Sequence, residues 1–190
     1  QRVLDIGCGD GFFMELLRDL GFEHIRGIDL SEPSLNRARE KGLHVEKRDV
    51  YDVGSMDWSF DIALMMDVLE HLPEPRRALE EVREALPSSG LLYVDVPVCD
   101  SVQLRLRRLL KGETRKEQSK RWDETHVYAP SARELVRLVH RSGYAVRSAR
   151  RLSNRWPRSG SLRPTLRLLL QAMDFGGVFG DLMFLVASKR

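Results

Sequence analysis

Cysteine is almost missing from this chain: 190 residues contain only Cys8 and Cys99, in separate apolar surroundings and with no CxxC pair. That excludes a disulfide framework and a thiolate metal motif of ordinary spacing, and it suits a reducing compartment, so the expected location is cytoplasmic. A long apolar run is missing too. The most apolar late stretch, 166–187, is broken by Arg167, Gln171, Asp174, Gly176, Gly177, Gly180 and Asp181, which excludes a convincing transmembrane helix. No basic, apolar and small-residue leader opens the chain, which begins inside what reads as a first strand; residues upstream are expected to precede it in the intact protein. Internal repeats and low-complexity tracts are not found either. What remains is a chain of one-domain length with 42% hydrophobic residues, enough for a sizeable core.

Charge is present in quantity but unevenly placed. Residues 1–100 carry 11 Lys and Arg against 21 Asp and Glu, whereas residues 101–190 carry 20 against 7. The overall charge of +3 therefore hides an acidic half and a basic half, which are expected to face different partners.

The apolar pattern alternates between strand and helix. Val3 to Ile6 is a short apolar strand ending in Gly7-Cys8-Gly9-Asp10-Gly11, after which Phe12, Phe13, Leu16, Leu17 and Leu20 recur at helical spacing. The unit repeats: His24 to Leu30 reads as a strand, and Ser31-Glu32-Pro33 opens a helix with a capping serine and a first-turn proline, stopped at Gly42. Leu43 to Arg48 and Phe60 to Met66 read as strands three and four. An amphipathic helix is expected over Leu72 to Leu86, a turn at Pro87–Gly90 and a fifth strand over Leu91 to Pro97. Residues 101–122 interrupt the rhythm as a basic insertion. Ser131 to Ser142 restores a helix, Tyr144 to Leu152 a strand, and Asp181 to Ser188 a last strand, with a long connection over 154–180. Alternating strands and helices imply parallel pairing through right-handed crossovers, hence an open α/β sheet in a single domain, 1–190.

The chemistry concentrates at the strand ends. The glycines of Gly7-Cys8-Gly9-Asp10-Gly11 alternate as GxGxG, unlike the dinucleotide pattern, and the acidic Asp5 precedes them. An extra anionic group fits poorly beside a pyrophosphate and well beside a cationic amino acid. Asp29 closes the second strand where a carboxylate can accept both hydrogen bonds of a ribose diol, and Asp49 closes the third where one can accept from an adenine amino group. The bland alternatives are a tight turn, a helix-preceding acid and a solvated loop carboxylate. Their joint occurrence at successive strand ends, the crevice where open α/β sheets bind ligands, favours a cofactor.

Val3 to Gly11, Gly27 to Leu30, Asp49 and Phe60 to Leu72 together resemble the successive motifs of class I, Rossmann-like S-adenosylmethionine-dependent methyltransferases, particularly the ubiquinone-pathway O-methyltransferase branch. The resemblance implies a mostly parallel seven-stranded sheet in the order 3-2-1-4-5-7-6, with helices on both faces and the last strand antiparallel. It implies S-adenosylmethionine as cofactor, with Asp5, Gly7, Cys8, Gly9 and Gly11 at the methionine part, Asp29 at the ribose, and Leu30, Asp49 and Val50 around the adenine. Met66 and Asp67, at the end of the fourth strand, are taken into the same cofactor site. It further implies an N-terminal helix that helps cover the pocket.

The acceptor is less legible. His126, just before the Ser131 helix, is the candidate base, with a surface or packing histidine as the alternative; Trp122 and Tyr128 are candidate walls of an aromatic pocket, or simply pack a loop. Asp67, Glu70, His71 and His126 are candidate ligands for a divalent metal, which the family resemblance supports through the Glu-x-x-Glu-His segment of related O-methyltransferases. This chain departs from that segment with the shorter Asp67. The metal-free reading is the default here: Asp67 capping a helix that Glu70 closes in a capping box, leaving His71 to pack. The basic stretch Arg105, Arg107, Arg108, Lys111, Arg115, Lys116, Lys120 and Arg121 is a solvated face, an anion-steering lid or a nucleic-acid surface, the last disfavoured because no interleaved aromatic platform accompanies it. The expected function is methyl transfer to a small-molecule or lipid-like acceptor, anionic in the lid reading, with oxygen as the acceptor atom. The alternatives are an RNA-modifying methyltransferase and a catalytically silent cofactor-binding subunit.

Overall fold

The computed structural model describes residues 1–100, 109, 126–152 and 182–189. Seven strands form one sheet: β1 (Arg2–Ile6), β2 (His24–Asp29), β3 (Val45–Lys47), β4 (Ile62–Met66), β5 (Leu91–Pro97), β6 (Tyr144–Leu152) and β7 (Leu182–Lys189). Their order is β3-β2-β1-β4-β5-β7-β6, as the resemblance implies. β1 to β5 pair in parallel, and β7 runs antiparallel to both β5 and β6. Among the described residues the sheet is flanked by the helices α1 (Phe12–Asp19), α2 (Glu32–Glu40), α3 (Pro75–Ala85) and α4 (Ala132–Arg141).

Period-two alternation divides the strands between two apolar layers. Leu4 and Ile6 of β1 with Leu92, Val94 and Val96 of β5 pack with α3 (Ala78, Leu79, Val82) and α4 (Leu135, Val139). Val3, Ile62, Leu64 and Tyr93 point to the other side, with Met14 and Leu17 of α1 and Leu35 of α2. Both faces of the sheet are therefore helix-covered, as parallel sheets require. Tyr144, fully buried, donates its hydroxyl to the Leu79 carbonyl at 2.9 Å, which ties β6 to α3.

Local signals act where they are expected, with some corrections. Ser131 caps α4 through a reciprocal capping box with Glu134. Gly42, at φ 73°, follows α2 as its stop. Ser31 stands at the start of α2, but its hydroxyl bonds that of Ser34 rather than a backbone N–H. The expected helix over Leu72 to Leu86 is shorter and begins at Pro75; ahead of it lies a separate 3-10 turn, Leu69–His71. Pro73 and Pro75 explain the break, because the residue before a proline is pushed out of the helical region. The basic insertion, Trp122 and the long connection over 154–180 lie outside the described residues.

Candidate active site

At the carboxyl ends of β1, β2 and β3 the chain makes a cavity of about 280 Å³. Gly7, Asp29, Leu30, Asp49, Val50 and Asp67 line it, as do Arg48 and His71, which the sequence reading did not assign to the cofactor. Its floor is the glycine turn. Gly7 and Cys8 donate their N–H groups to the Ile28 carbonyl at 2.8 and 3.0 Å, folding the turn back onto β2. Gly7 has φ 73°, and a Cβ there would collide with the Val68 side chain; Gly9 has φ 56°, and nothing lies within 4 Å of where its Cβ would be. The first glycine is thus required by packing and backbone conformation, the second by a conformation that opens onto free space.

Asp29 is built into this turn. One carboxylate oxygen accepts from Gly9 N–H at 2.8 Å and the other from Ser31 N–H at 2.8 Å, so each keeps a lone pair for a ligand diol. Asp49 caps the 3-10 turn Val50–Ser55, its Oδ1 accepting from Tyr51 N–H at 3.1 Å. Two carboxylates are thereby held rigidly along one rim of the cavity.

Other site candidates do not line it. Gly11 is the N-cap of α1 and packs against Leu43. Met66 packs into the apolar layer on the α1 side. The Cys8 thiol is pushed up to about 12, first by burial and then by the Asp5 and Asp29 carboxylates, so it is no nucleophile. Asp5, 1% exposed, lies beneath the turn with Oδ2 lacking any hydrogen-bond partner. Burial, and secondarily the Asp29 charge, push its pKa up to about 7. A buried carboxylate oxygen without a donor is the counterpart expected for a cationic ligand group.

The second half of the site stands at the end of β4. Asp67 has φ 60°, in the left-handed region, and its N–H bonds the Asp95 carbonyl at 3.2 Å. This residue therefore reverses the chain instead of capping a helix, and the capping box expected of Asp67 and Glu70 is not formed. The four candidate ligands nonetheless converge: one ligand atom each from Asp67, Glu70, His71 and His126 lie within 4.8 Å of one another. The His71 and His126 rings meet edge to face at 4.7 Å between centroids. His126 comes from a distant part of the chain, and the Glu70 carbonyl secures it by accepting from both Val127 and Tyr128 N–H at 3.0 Å.

Glu70 is fully buried, and neither carboxylate oxygen has a hydrogen-bond partner of normal geometry among the described residues. Burial first, and then the Asp67 carboxylate, push its pKa up to about 9. Asp95 of β5 belongs to the same neighbourhood and was missed from sequence. Its Oδ1 is buried without a partner, and burial with the Asp67 charge raises it to about 7. The one available signal was an acidic residue inside the apolar run Leu91-Leu92-Tyr93-Val94-Asp95-Val96. Two carboxylates and two imidazoles around one point suit a divalent cation, and the orphaned Glu70 oxygens fit such an occupant. Asp67 and His71 also line the cavity at the strand ends, so the cluster borders it directly.

Comparison with known proteins agrees with this geometry. Residues 1–149 match the family model described as a methyltransferase domain. The ubiquinone biosynthesis O-methyltransferase of Neisseria meningitidis is 30% identical over 104 residues, covering 49% of this chain and 42% of that protein. The chain thus spans under half the length of the curated relatives it matches. Among solved structures, a SAM-dependent methyltransferase from Archaeoglobus fulgidus superposes with a TM-score of 0.69 at 20% identity, covering 100% of this chain and 86% of that one. The plantazolicin methyltransferase BamL, in complex with SAH and a substrate analogue, gives 0.69 at 17% identity over 99% and 76%. These two likenesses concern the fold. With the match over residues 1–149, the sheet order and the strand-end cavity all in agreement, the chain belongs to the class I S-adenosylmethionine-dependent methyltransferase family.

Proposed function

We propose that this domain transfers a methyl group from S-adenosylmethionine to a hydroxyl oxygen of a small-molecule or lipid-like acceptor. One observation carries the reading: the Asp29–Asp49 cavity opens onto the Asp67, Glu70, His71 and His126 cluster. The pocket and a set of proton- or cation-handling groups share Asp67 and His71, and a base or a cation assists transfer when the acceptor is a hydroxyl. The name of the Neisseria relative, an O-methyltransferase, supports the same acceptor atom.

Bound S-adenosylmethionine supplies a methyl carbon on a sulfonium, whose carbon–sulfur bond breaks as the carbon–oxygen bond forms, leaving a neutral thioether. Asp29 accepts from the ribose hydroxyls with the lone pairs that Gly9 and Ser31 leave unused. Asp49 faces the adenine edge from its cap position, and the unpartnered Asp5 oxygen receives the cationic amino group from below the glycine turn. Anchoring the cofactor at both ends fixes the direction of transfer, and such alignment is the main source of acceleration available for this reaction. His126, beside the end of β4, takes the acceptor hydroxyl's proton.

A divalent cation held by Asp67, Glu70, His71 and His126 would lower the pKa of that hydroxyl and orient it. In that form the two histidines would serve as ligands, and the hydroxyl proton would go to solvent. The buried, unpartnered Glu70 carboxylate favours this version over the metal-free base.

The test is transfer of tritiated methyl from S-adenosylmethionine into metabolite, lipid and total RNA pools, with and without chelator. Label in a small-molecule or lipid fraction, stable to base as an ether is, is the expected result. Label confined to RNA, or cofactor binding with no transfer into any pool, would overturn the acceptor assignment.

A further inference from the structure

Arg48 lines the cofactor cavity, yet no motif of the glycine turn or the strand-end carboxylates accounts for it. Its bonds converge on the segment that forms the adenine wall. The guanidinium donates from Nε to Glu46 Oε1 at 2.5 Å, and from Nη1 to the Asp52 carbonyl at 3.1 Å and Ser55 Oγ at 2.5 Å. Ser55 in turn donates its hydroxyl to the same Asp52 carbonyl at 2.8 Å, which closes a ring of bonds at the end of the 3-10 turn. The backbone N–H of Arg48 bonds the Asp29 carbonyl at 3.1 Å. One residue therefore connects the strand that carries the ribose carboxylate to the turn that carries Asp49 and Val50.

That turn needs an anchor. Val50–Ser55 is a short 3-10 stretch, and such stretches have poor internal hydrogen-bond geometry. On its far side Tyr51 supplies one anchor: its hydroxyl accepts from Glu74 N–H at 3.1 Å, and the Arg77 guanidinium lies 4.8 Å from its ring centroid. On the cavity side the anchor is Arg48. Glu46, two positions earlier in β3, accepts from the guanidinium and holds it in place. The planar fork suits this arrangement because it meets three acceptors in fixed directions, where an ammonium is a single point without a fork.

We propose that Arg48 is the positioning residue of the nucleoside end of the cofactor pocket: it sets the Asp49–Val50 wall at a fixed spacing from Asp29 before any ligand arrives. The proposal rests on the reading of the cavity as the S-adenosylmethionine site. It makes no claim on the methyl-transfer step, so Arg48 variants change cofactor affinity and leave turnover at saturation alone.

The experiment is calorimetric titration of the wild-type domain and variants with S-adenosylmethionine, S-adenosylhomocysteine and 5′-methylthioadenosine, the last lacking the amino-acid part. Arg48→Ala is expected to weaken all three by the same factor, about tenfold, and Arg48→Lys by less, because both act on the shared nucleoside. Cofactor KM rises in step, while kcat at saturation and acceptor KM hold. Ser55→Ala removes one member of the ring and is expected to cost about threefold, and the double variant Arg48→Ala with Ser55→Ala is no weaker than Arg48→Ala alone. If Arg48→Ala does not fold, the Lys and Ser55 variants carry the test. Unchanged affinity, a loss confined to the two ligands that carry the amino acid, or additive losses in the double variant would each overturn the assignment. A wild-type domain that binds none of the three overturns the cavity reading itself, and the role of Arg48 with it.

Discussion

Two sets of carboxylates stand at the carboxyl edge of the same sheet, and the fold treats them oppositely. Asp29 and Asp49 are engaged by backbone N–H groups and leave their remaining lone pairs toward the cavity. Asp5, Glu70 and Asp95 each have a buried oxygen with no partner, and all three are pushed well above the ordinary carboxylate range. The first set is finished without ligand. The second is finished only when a cationic group or a proton arrives, because an isolated charge in such surroundings is costly. A pair of preorganised carboxylates thus stands beside an acidic region whose buried oxygens lack partners among the described residues.

The largest effect should come from the finished set. Asp29→Ala removes the acceptor proposed for a ribose and strands the N–H groups of Gly9 and Ser31. It is expected to weaken S-adenosylmethionine by roughly 1–3 kcal/mol, measured by calorimetry. An unchanged affinity would take Asp29 out of the site and erase the contrast between the two sets.

Next comes the cation. Exhaustive chelation is expected to lower methyl transfer at least about tenfold, with recovery on adding magnesium, manganese or zinc, and Glu70→Gln should abolish that recovery. Activity that survives chelation while His126→Ala loses it would convert the cluster into a metal-free base site.

A third test uses stability of the ligand-free domain against pH. A carboxyl whose folded pKa is raised holds its proton in the folded state where the unfolded chain has shed it. Stability therefore falls as pH rises, from near 4 up to about 7 for Asp5 and Asp95 and up to about 9 for Glu70. The slope is about 1.4 kcal/mol per pH unit for each such group within its window. Thermal melts from pH 5 to 9 should show the midpoint falling, with Asp5→Asn flattening the lower part of the range and Glu70→Gln the upper. A midpoint that climbs over that range would mean these carboxylates are paired in solution.

The smallest expected effect lies outside both sets. Neutralising Arg107, Arg108, Lys111 and Arg115 together is expected to raise acceptor KM about threefold and flatten its salt dependence without touching cofactor affinity. A loss of cofactor affinity with unchanged acceptor kinetics would reverse the assignment of the two halves.

Much of this molecule was determined by local sequence. Strand and helix identities follow from two periodicities, 2.0 and 3.6, written in residues such as Leu92-Tyr93-Val94 and Leu135-Val136-Leu138-Val139. The GxGxG turn, Asp29 and Asp49 were legible because each sits at a strand end, and crossover chirality brings successive strand ends to one edge. The helix expected from Leu72 begins only at Pro75, because apolar spacing cannot show that Asp67 takes a left-handed turn or that a 3-10 stretch precedes Pro75. What only the tertiary structure decided is the company each carboxylate keeps. The sequence held Asp29 and Glu70 as similar acids; the fold gave one two backbone donors and left the other in the core with none. Burial and long-range approach, such as His126 reaching His71 across 55 residues of chain, are properties of packed surfaces, and no local pattern encodes them.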